Sequence, residues 1–287
     1  MEKKQILDEL LTWRYAHRGF HDKPTVPENS MIAFRRAITE EFGIELDVHL
    51  TKDKKLAVIH DSCLWRTCGI DLYIEDITME EAQVYFLEKS EEVIPSFAGV
   101  LNAVAGRVPL IIEIKTADGN QKELTDAVMS ALEGYKGLYC IESFNPSVVG
   151  YLRKKYPDVI RGQLAGCLNK DNPEKVKKEK QMIDIDCVEY ADTGIGGTFM
   201  DESLVAGTAG EPAVTRVQDF LLKNLWVNVE GKPDFVAYRF EDRDMEAFVR
   251  YKGAKFLWTI KDYADLKVCE ESGAAGIFEQ FNPKEYE

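Results

Sequence analysis

Nine apolar, strand-like runs separated mostly by amphipathic helical patterns constrain this chain more than any other feature. The runs are Arg14–His17, Ile44–Leu50, Leu56–His60, Leu110–Lys115, Leu138–Ser143, Val159–Leu164, Phe235–Tyr238, Phe256–Ile260 and Ala275–Phe278. Strand–helix alternation implies a parallel sheet covered by helices. One link breaks the pattern: only Thr51–Lys55, five residues, joins the second run to the third. A parallel crossover needs about ten to twelve residues, so this link is a hairpin. The chain is expected to leave the sheet after Asp47, turn, and return antiparallel, bringing His60 back near Asp47. Without that return strand eight parallel strands remain, the number of a closed (β/α)8 TIM barrel, a fold of typically ~250 residues. The 287 residues are therefore read as one α/β barrel domain, 1–287, with a β-hairpin excursion after strand 2.

Local signals support the alternation. Phe34, Ala37, Ile38 and Phe42 form one apolar stripe, and Leu124, Val128, Ala131 and Leu132 another. Thr78-Met79-Glu80-Glu81 is a capping box. Ser96 precedes the stripe Phe97, Val100, Leu101, Val104, and Asn145-Pro146 puts a cap residue and a first-turn proline ahead of Val149 and Leu152. Pro212 has the same place before Val217, Phe220 and Leu221. Gly253 and Gly273 are expected to end helices as left-handed C′ residues. The least regular stretch, 165–234, forms a long insertion between barrel strands 5 and 6. Its basic run Lys175–Lys180 reads as a solvated helix face. Its glycine-rich Thr193–Thr198 lacks the Lys-Ser/Thr of a phosphate loop and reads as surface loop. Loops of this length often carry function, which leaves a lid or a subunit contact, and so a homo-oligomer, open.

Charge inside the strands is the chemical signal. Glu45 and Asp47 are two apart in an apolar run, and so are Glu113 and Lys115. On a strand each pair shares a face. Charges there are costly without partners. With His17, Arg18 and His60 at neighbouring run ends, the pattern gathers three carboxylates, two imidazoles and two cations. It suggests one site built around a metal ion and an anionic substrate.

The bulk properties narrow the classes. A hydrophobic content of 45% provides a sizeable core. A net charge of −14 argues against nucleic acid, whose phosphates need a basic face, and gives no help with anionic membranes. An anionic substrate would need local cations against that global field. No run of 18 apolar residues exists, so no stable membrane insertion is expected. The first ten residues are interrupted by acids, unlike an export signal. Together with six scattered cysteines this suggests a reducing, cytoplasmic setting. Cys63 and Cys68 near His60 match no zinc-finger or ribbon spacing.

His17-Arg18-Gly19, Pro27-Glu28-Asn29, Glu45-Leu46-Asp47, His60-Asp61, Arg66-Thr67, Glu113-Ile114-Lys115, Ser143-Phe144 and Trp258-Thr259 follow one another along the chain. In this order they resemble the glycerophosphodiester phosphodiesterase family, within the phospholipase-C-like phosphodiesterase barrels. The resemblance covers nearly everything except 165–234. It implies a TIM barrel with its site at the C-terminal face, and metal-dependent hydrolysis of glycerophosphodiesters to glycerol 3-phosphate and an alcohol. Carried over, it makes His17 and His60 the acid–base pair, Glu45, Asp47 and Glu113 the metal ligands, and Arg18 and Lys115 phosphate contacts. Trp258 and Phe144 are candidates to line a glycerol pocket, with core packing the competing role. Two places depart from the family pattern. Lys261 follows Trp258-Thr259-Ile260 where asparagine is usual, and Glu279-Gln280 replaces the usual Thr-Asp. Both are expected on the rim, away from the charged cluster.

The chemistry is coherent with those residues. Converging carboxylates repel one another unless a cation sits among them. All-oxygen ligands suit Mg²⁺ or Ca²⁺ better than zinc or copper. Histidines move protons near neutral pH, and Arg18 can grip phosphate oxygens with two prongs. Simpler roles compete: Glu113 could only pair with Lys115, Glu28 and Asn29 could only open the helix after Ser30, and His21 and His49 are placed outside the chemistry, His49 with a supporting role open to it. Alternatives at the level of function are the same site acting on lysophospholipid or another phosphodiester, and a metal-dependent phosphate-ligand binder without turnover.

Overall fold

Eight parallel strands close into a barrel because a two-residue strand bridges its seam. In the computed structural model, which describes residues 2–117, 119–167 and 216–286, the strands are β1 (Tyr15–Ala16), β2 (Gly43–Leu50), β3 (Leu56–Val58), β4 (Leu110–Ile114), β5 (Tyr139–Ser143), β6 (Arg161–Ala165), β7 (Phe235–Arg239), β8 (Ala254–Ile260) and β9 (Ala275–Phe278). They form one nine-stranded sheet in the order β1-β9-β8-β7-β6-β5-β4-β2-β3, closed by a further β1–β2 pairing. Only β3 is antiparallel, pairing Val48↔Val58, His49↔Ala57 and Leu50↔Leu56. The expected hairpin excursion is therefore present, and the strands on either side of the expected insertion, β6 and β7, are parallel neighbours.

Alternation along the strands sorts the side chains. On β2, Ile44, Leu46 and Val48 face out into the large core between sheet and helices, with Leu110, Ile112 and Ile114 of β4 beside them. Inside the barrel, Tyr15, Ile111, Cys140, Phe235, Ala237, Phe256 and Ile277 form a second apolar cluster that takes in Leu10. Ile6, Leu7 and Leu11 of the N-terminal segment pack against it, and the Tyr15 hydroxyl donates to the Leu10 carbonyl (2.8 Å). The helix Lys3–Leu10 thus plugs the N-terminal end of the barrel and leaves the other end for polar groups.

The helix signals resolve individually. Ser96 accepts from the Gly99 amide, Asn145 from Ser147 with Pro146 in the first turn, and Thr78 with Glu81 forms the full capping box. Gly273 is left-handed (φ +78°) beyond the helix Tyr263–Glu271, as expected. Gly253 is not, a correction: the helix Glu246–Arg250 ends at Tyr251, and a Cβ on Gly253 would lie 2.3 Å from the Tyr251 hydroxyl. That glycine serves close approach of a ring. Pro212 and the two motifs at 175–180 and 193–198 lie outside the described residues.

The excursion does more than turn. Ala57, Ile59, Leu64, Ile74, Ile77, Met79, Ala82, Leu87 and Ile94 form a third apolar cluster of their own, a small lobe standing beside the C-terminal mouth. Among the described residues no helix is long and apolar enough to cross a membrane, and the described cysteines Cys63, Cys68, Cys140, Cys167 and Cys269 are free.

Candidate active site

Register brings the acids together. Asp47 of β2 pairs with Glu113 of β4, and Glu113 with Glu142 of β5. Glu45 lies one inward position below. Oxygens of Glu45, Asp47 and Glu113 lie within 4.8 Å of one another, and all three residues are buried. Burial, with repulsion from Asp47 and Glu113, raises the Glu45 carboxyl well above the usual range. Burial outweighs Lys115 at Glu113 and pushes it up to about 7. At Asp47 the balance reverses: Lys115, His60 and Arg18 hold it low in spite of burial. Asp47 Oδ1 is buried without a hydrogen-bond donor, its near cation being the Lys115 ammonium at 3.3 Å. A hard divalent ion fits this donor set, which is all oxygen, partly unsatisfied and self-repelling. Glu45, Asp47 and Glu113 are the residues able to hold one.

Both cations reach the triad. Lys115 Nζ is 2.8 Å from Glu113 and so ties it to Asp47. The Arg18 amide donates to Glu45 (2.9 Å), its Nη1 donates to Glu28 (2.8 Å), and its Nε lies 3.5 Å from Asp47. Arg18 takes a left-handed backbone (φ +54°) just before Gly19 (φ +81°), whose Cβ position is closed by Phe34 at 2.9 Å. This turn points the Arg18 amide at the carboxylates.

The imidazoles flank the acids. His17 Nε2 is 4.0 Å from Glu45 Oε2, and its Nδ1 is 2.8 Å from Glu279 Oε2. His60 follows β3, held where the Ile59 amide donates to the Asp47 carbonyl (3.2 Å). Its Nδ1 is 2.6 Å from Asp61. Burial and the facing Lys115 and Arg18 push the His60 imidazole down to about 3. Burial and Arg18 also lower His17, against Glu279. Asp61 is gripped in turn by Arg66, which donates to both oxygens of Glu28 (2.6 and 3.0 Å). Glu28 also pairs with Lys23.

Thus Glu28 and Asn29 do more than open a helix. Ser30 is the N-cap, while Asn29 Nδ2 donates to Asp47 Oδ2 (2.7 Å). Trp258 donates its indole N–H to the Ala237 carbonyl (3.1 Å), and Phe144 meets its ring edge-on at 5.6 Å between centroids. Both are partly buried against the inner cluster. His49 binds Glu75 (2.7 Å) and the His60 carbonyl (3.0 Å), so it supports the segment carrying His60.

Two neighbours were missed or misplaced by sequence reasoning. Glu142, buried with Oε2 unpaired, carried the same signal as Glu45: an acid inside an apolar run. Glu279 is corrected from the rim to the cluster, where it contacts His17 and lies 3.8 Å from His21 Nε2. Lys261, expected beside it, is exposed and 3.9 Å from Glu279.

The comparisons with known proteins agree. The sequence profile described as Glycerophosphoryl diester phosphodiesterase family matches residues 17–281. A glycerophosphodiester phosphodiesterase of Caldanaerobacter subterraneus is 36% identical over 162 residues, 53% of this chain and 66% of that protein. One of Bacillus altitudinis is 34% identical over 160 residues, 52% of this chain and 64% of that protein. The matched stretch thus spans slightly under two thirds of these relatives. In structure, the chain is similar to an Oleispira antarctica phosphodiesterase solved with the product sn-glycerol-3-phosphate. The TM-score is 0.69, with 15% identity, 97% of this chain and 96% of the other covered. That likeness concerns the fold; the profile match covers most of the sequence, and the chain belongs to the glycerophosphoryl diester phosphodiesterase family.

Proposed function

We propose that this chain is a phosphoric diester hydrolase that cleaves glycerophosphodiesters, such as glycerophosphocholine or glycerophosphoethanolamine, to glycerol 3-phosphate and an alcohol. The observation that carries the reading is the convergence of His17 and His60 on the buried Glu45–Asp47–Glu113 triad, with Arg18 and Lys115 beside it. The two named relatives are glycerophosphodiester phosphodiesterases, which favours the same substrate class.

A divalent ion, Mg²⁺ or Ca²⁺, held by Glu45, Asp47 and Glu113 would polarise a phosphoryl oxygen. Arg18 and Lys115 neutralise the diester and hold it against the carboxylate field. One imidazole takes a proton from the attacking water, whose oxygen becomes bonded to phosphorus as the ester bond breaks, and the other delivers a proton to the leaving alkoxide. Each has Nδ1 engaged by a carboxylate, so each offers Nε2 for transfer. Such acid–base help is worth roughly 10²–10⁴-fold, and charge stabilisation supplies the larger share. Trp258 and Phe144 form an apolar wall for the glycerol moiety. The decisive experiment follows glycerol 3-phosphate release from a panel of glycerophosphodiesters with Mg²⁺, Ca²⁺ or chelator. Chelation abolishes turnover, and undiminished rates in His17→Ala or His60→Ala protein reject the mechanism.

A second substrate class has one observation in its favour. Trp65, Tyr73 and Phe86 of the lobe beside the mouth are 58%, 51% and 58% exposed, surface that suits an acyl chain. A side-by-side assay of lysophosphatidylcholine and glycerophosphocholine decides between them.

A further inference from the structure

Glu279 stands where the family pattern has a different residue, yet it makes the hydrogen bond of the His17 ring. The β1–β9 ladder aligns Ala16 with Phe278, which places His17 and Glu279 side by side just beyond the aligned pair. The backbone fixes both: the His17 amide donates to the Phe278 carbonyl (2.8 Å) and the Glu279 amide to the Ile260 carbonyl (2.9 Å). Glu279 Oε2 then lies 2.8 Å from His17 Nδ1. His21, whose two ring nitrogens are buried without hydrogen-bond partners, approaches the same oxygen at 3.8 Å, and Lys261 approaches Oε1 at 3.9 Å. Among the described residues the carboxylate thus has one hydrogen bond, to His17, with His21 and Lys261 nearby.

We infer that Glu279 is a positioning residue that acts through His17, holding the proton on Nδ1 and leaving the Nε2 lone pair directed at the triad. An ionised carboxylate only accepts, so the 2.8 Å contact puts the proton on Nδ1. The other ring nitrogen is then the one 4.0 Å from Glu45. With Nδ1 free, the neutral ring could carry its proton on Nε2 instead, and that tautomer cannot take a proton there. This deepens the proposed function, on which its kinetic arm rests; the tautomer arm stands independently.

The test uses full-length protein with Glu279→Ala and Glu279→Gln, the amide oxygen of Gln still being able to accept from Nδ1. Histidine ¹⁵N spectra, with His17 assigned through His17→Gln, report the tautomer directly. In E279A the Nδ1–H form of His17 is expected to give way to the Nε2–H form. Its kcat should fall by about 10²-fold or more, with KM within about twofold, the mark of an interaction that serves the chemical step. In E279Q the Nδ1–H form is retained and kcat recovers at least about tenfold over E279A. Persistence of the Nδ1–H form in E279A overturns the inference. So does a fall in kcat that E279Q does not rescue, because that marks Glu279 as merely structural. If the wild-type protein hydrolyses no glycerophosphodiester, the functional reading fails while the spectra still decide the role of Glu279.

Discussion

At the scale of single residues the site is held by a chain of charges. His60 leans on Asp61, Asp61 on Arg66, Arg66 on Glu28, and Glu28 on Arg18, which faces Asp47. Glu28 is the hinge of this chain. It is 3% exposed, and although burial opposes ionisation, Arg18, Arg66 and Lys23 hold its carboxyl far below the usual range. Removing its charge would take from Arg18, Arg66 and Lys23 the carboxylate they share. Each keeps a second acid, and Arg66 and Lys23 reach solvent, so the loss is about 1–3 kcal/mol. Glu28→Gln should therefore destabilise the protein by that order in urea unfolding at pH 7. A carboxyl depressed in the folded state stabilises above its unfolded value, near 4.5 here, and the contribution fades as pH falls towards the folded value. The gap between wild type and variant should accordingly shrink from pH 7 to pH 3; a constant gap would mean that Glu28 acts through packing alone.

At the scale of elements, the barrel and the excursion make separate demands. Gly162 of β6 faces inward against Phe235 of β7, and a Cβ there would lie 2.1 Å from the ring. Gly162→Ala should cost about 1–3 kcal/mol through overpacking, visible as a lower urea midpoint with unchanged slope. The excursion hangs on His49, whose ring spans Glu75 and the His60 carbonyl. Burial lowers the His49 pKa, but Glu75 outweighs it and the net shift is upward from 6.5. A raised imidazole stabilises fully below its unfolded value and less as pH climbs through the folded one. Glu75→Gln should thus lose about 1.5–3 kcal/mol at pH 5.5 and less at pH 8.5 in thermal melts. The strands and the hairpin were legible in the sequence because apolar runs and a five-residue link admit few alternatives. The members of the triad were legible for the same reason: charged residues two apart in an apolar strand, Glu45 with Asp47 and Glu113 with Lys115, must share a face. What escaped depends on closure. Glu279 meets His17 across 262 positions, a contact created when the last strand docks on the first. The lobe core escaped as well, since its apolar residues are spread over short turns without a period.

For the whole molecule, the question is how a chain of charge −14 tolerates buried acids at its centre. Glu45, Asp47, Glu113 and Glu142 share one end of the barrel with Arg18 and Lys115, so acids outnumber cations there. Burial raises Glu45, Glu113 and Glu142, which makes the site short of positive charge. A divalent ion held by Glu45, Asp47 and Glu113 would supply it, and an ion binding only to the folded chain would stabilise the fold as a whole. Linkage gives about 2.7 kcal/mol at a hundredfold excess of ion over Kd. The melting temperature should rise with Mg²⁺ or Ca²⁺ and return to the metal-free value on chelation. Because a ligand carboxyl must lose its proton to bind, and Glu113 is pushed up to about 7, the shift should be larger at pH 8 than at pH 6. In Glu113→Gln protein the metal-induced shift should largely vanish while the metal-free melting temperature stays high, since the variant removes a repelling charge. A variant that still gains the full shift would place the ion elsewhere.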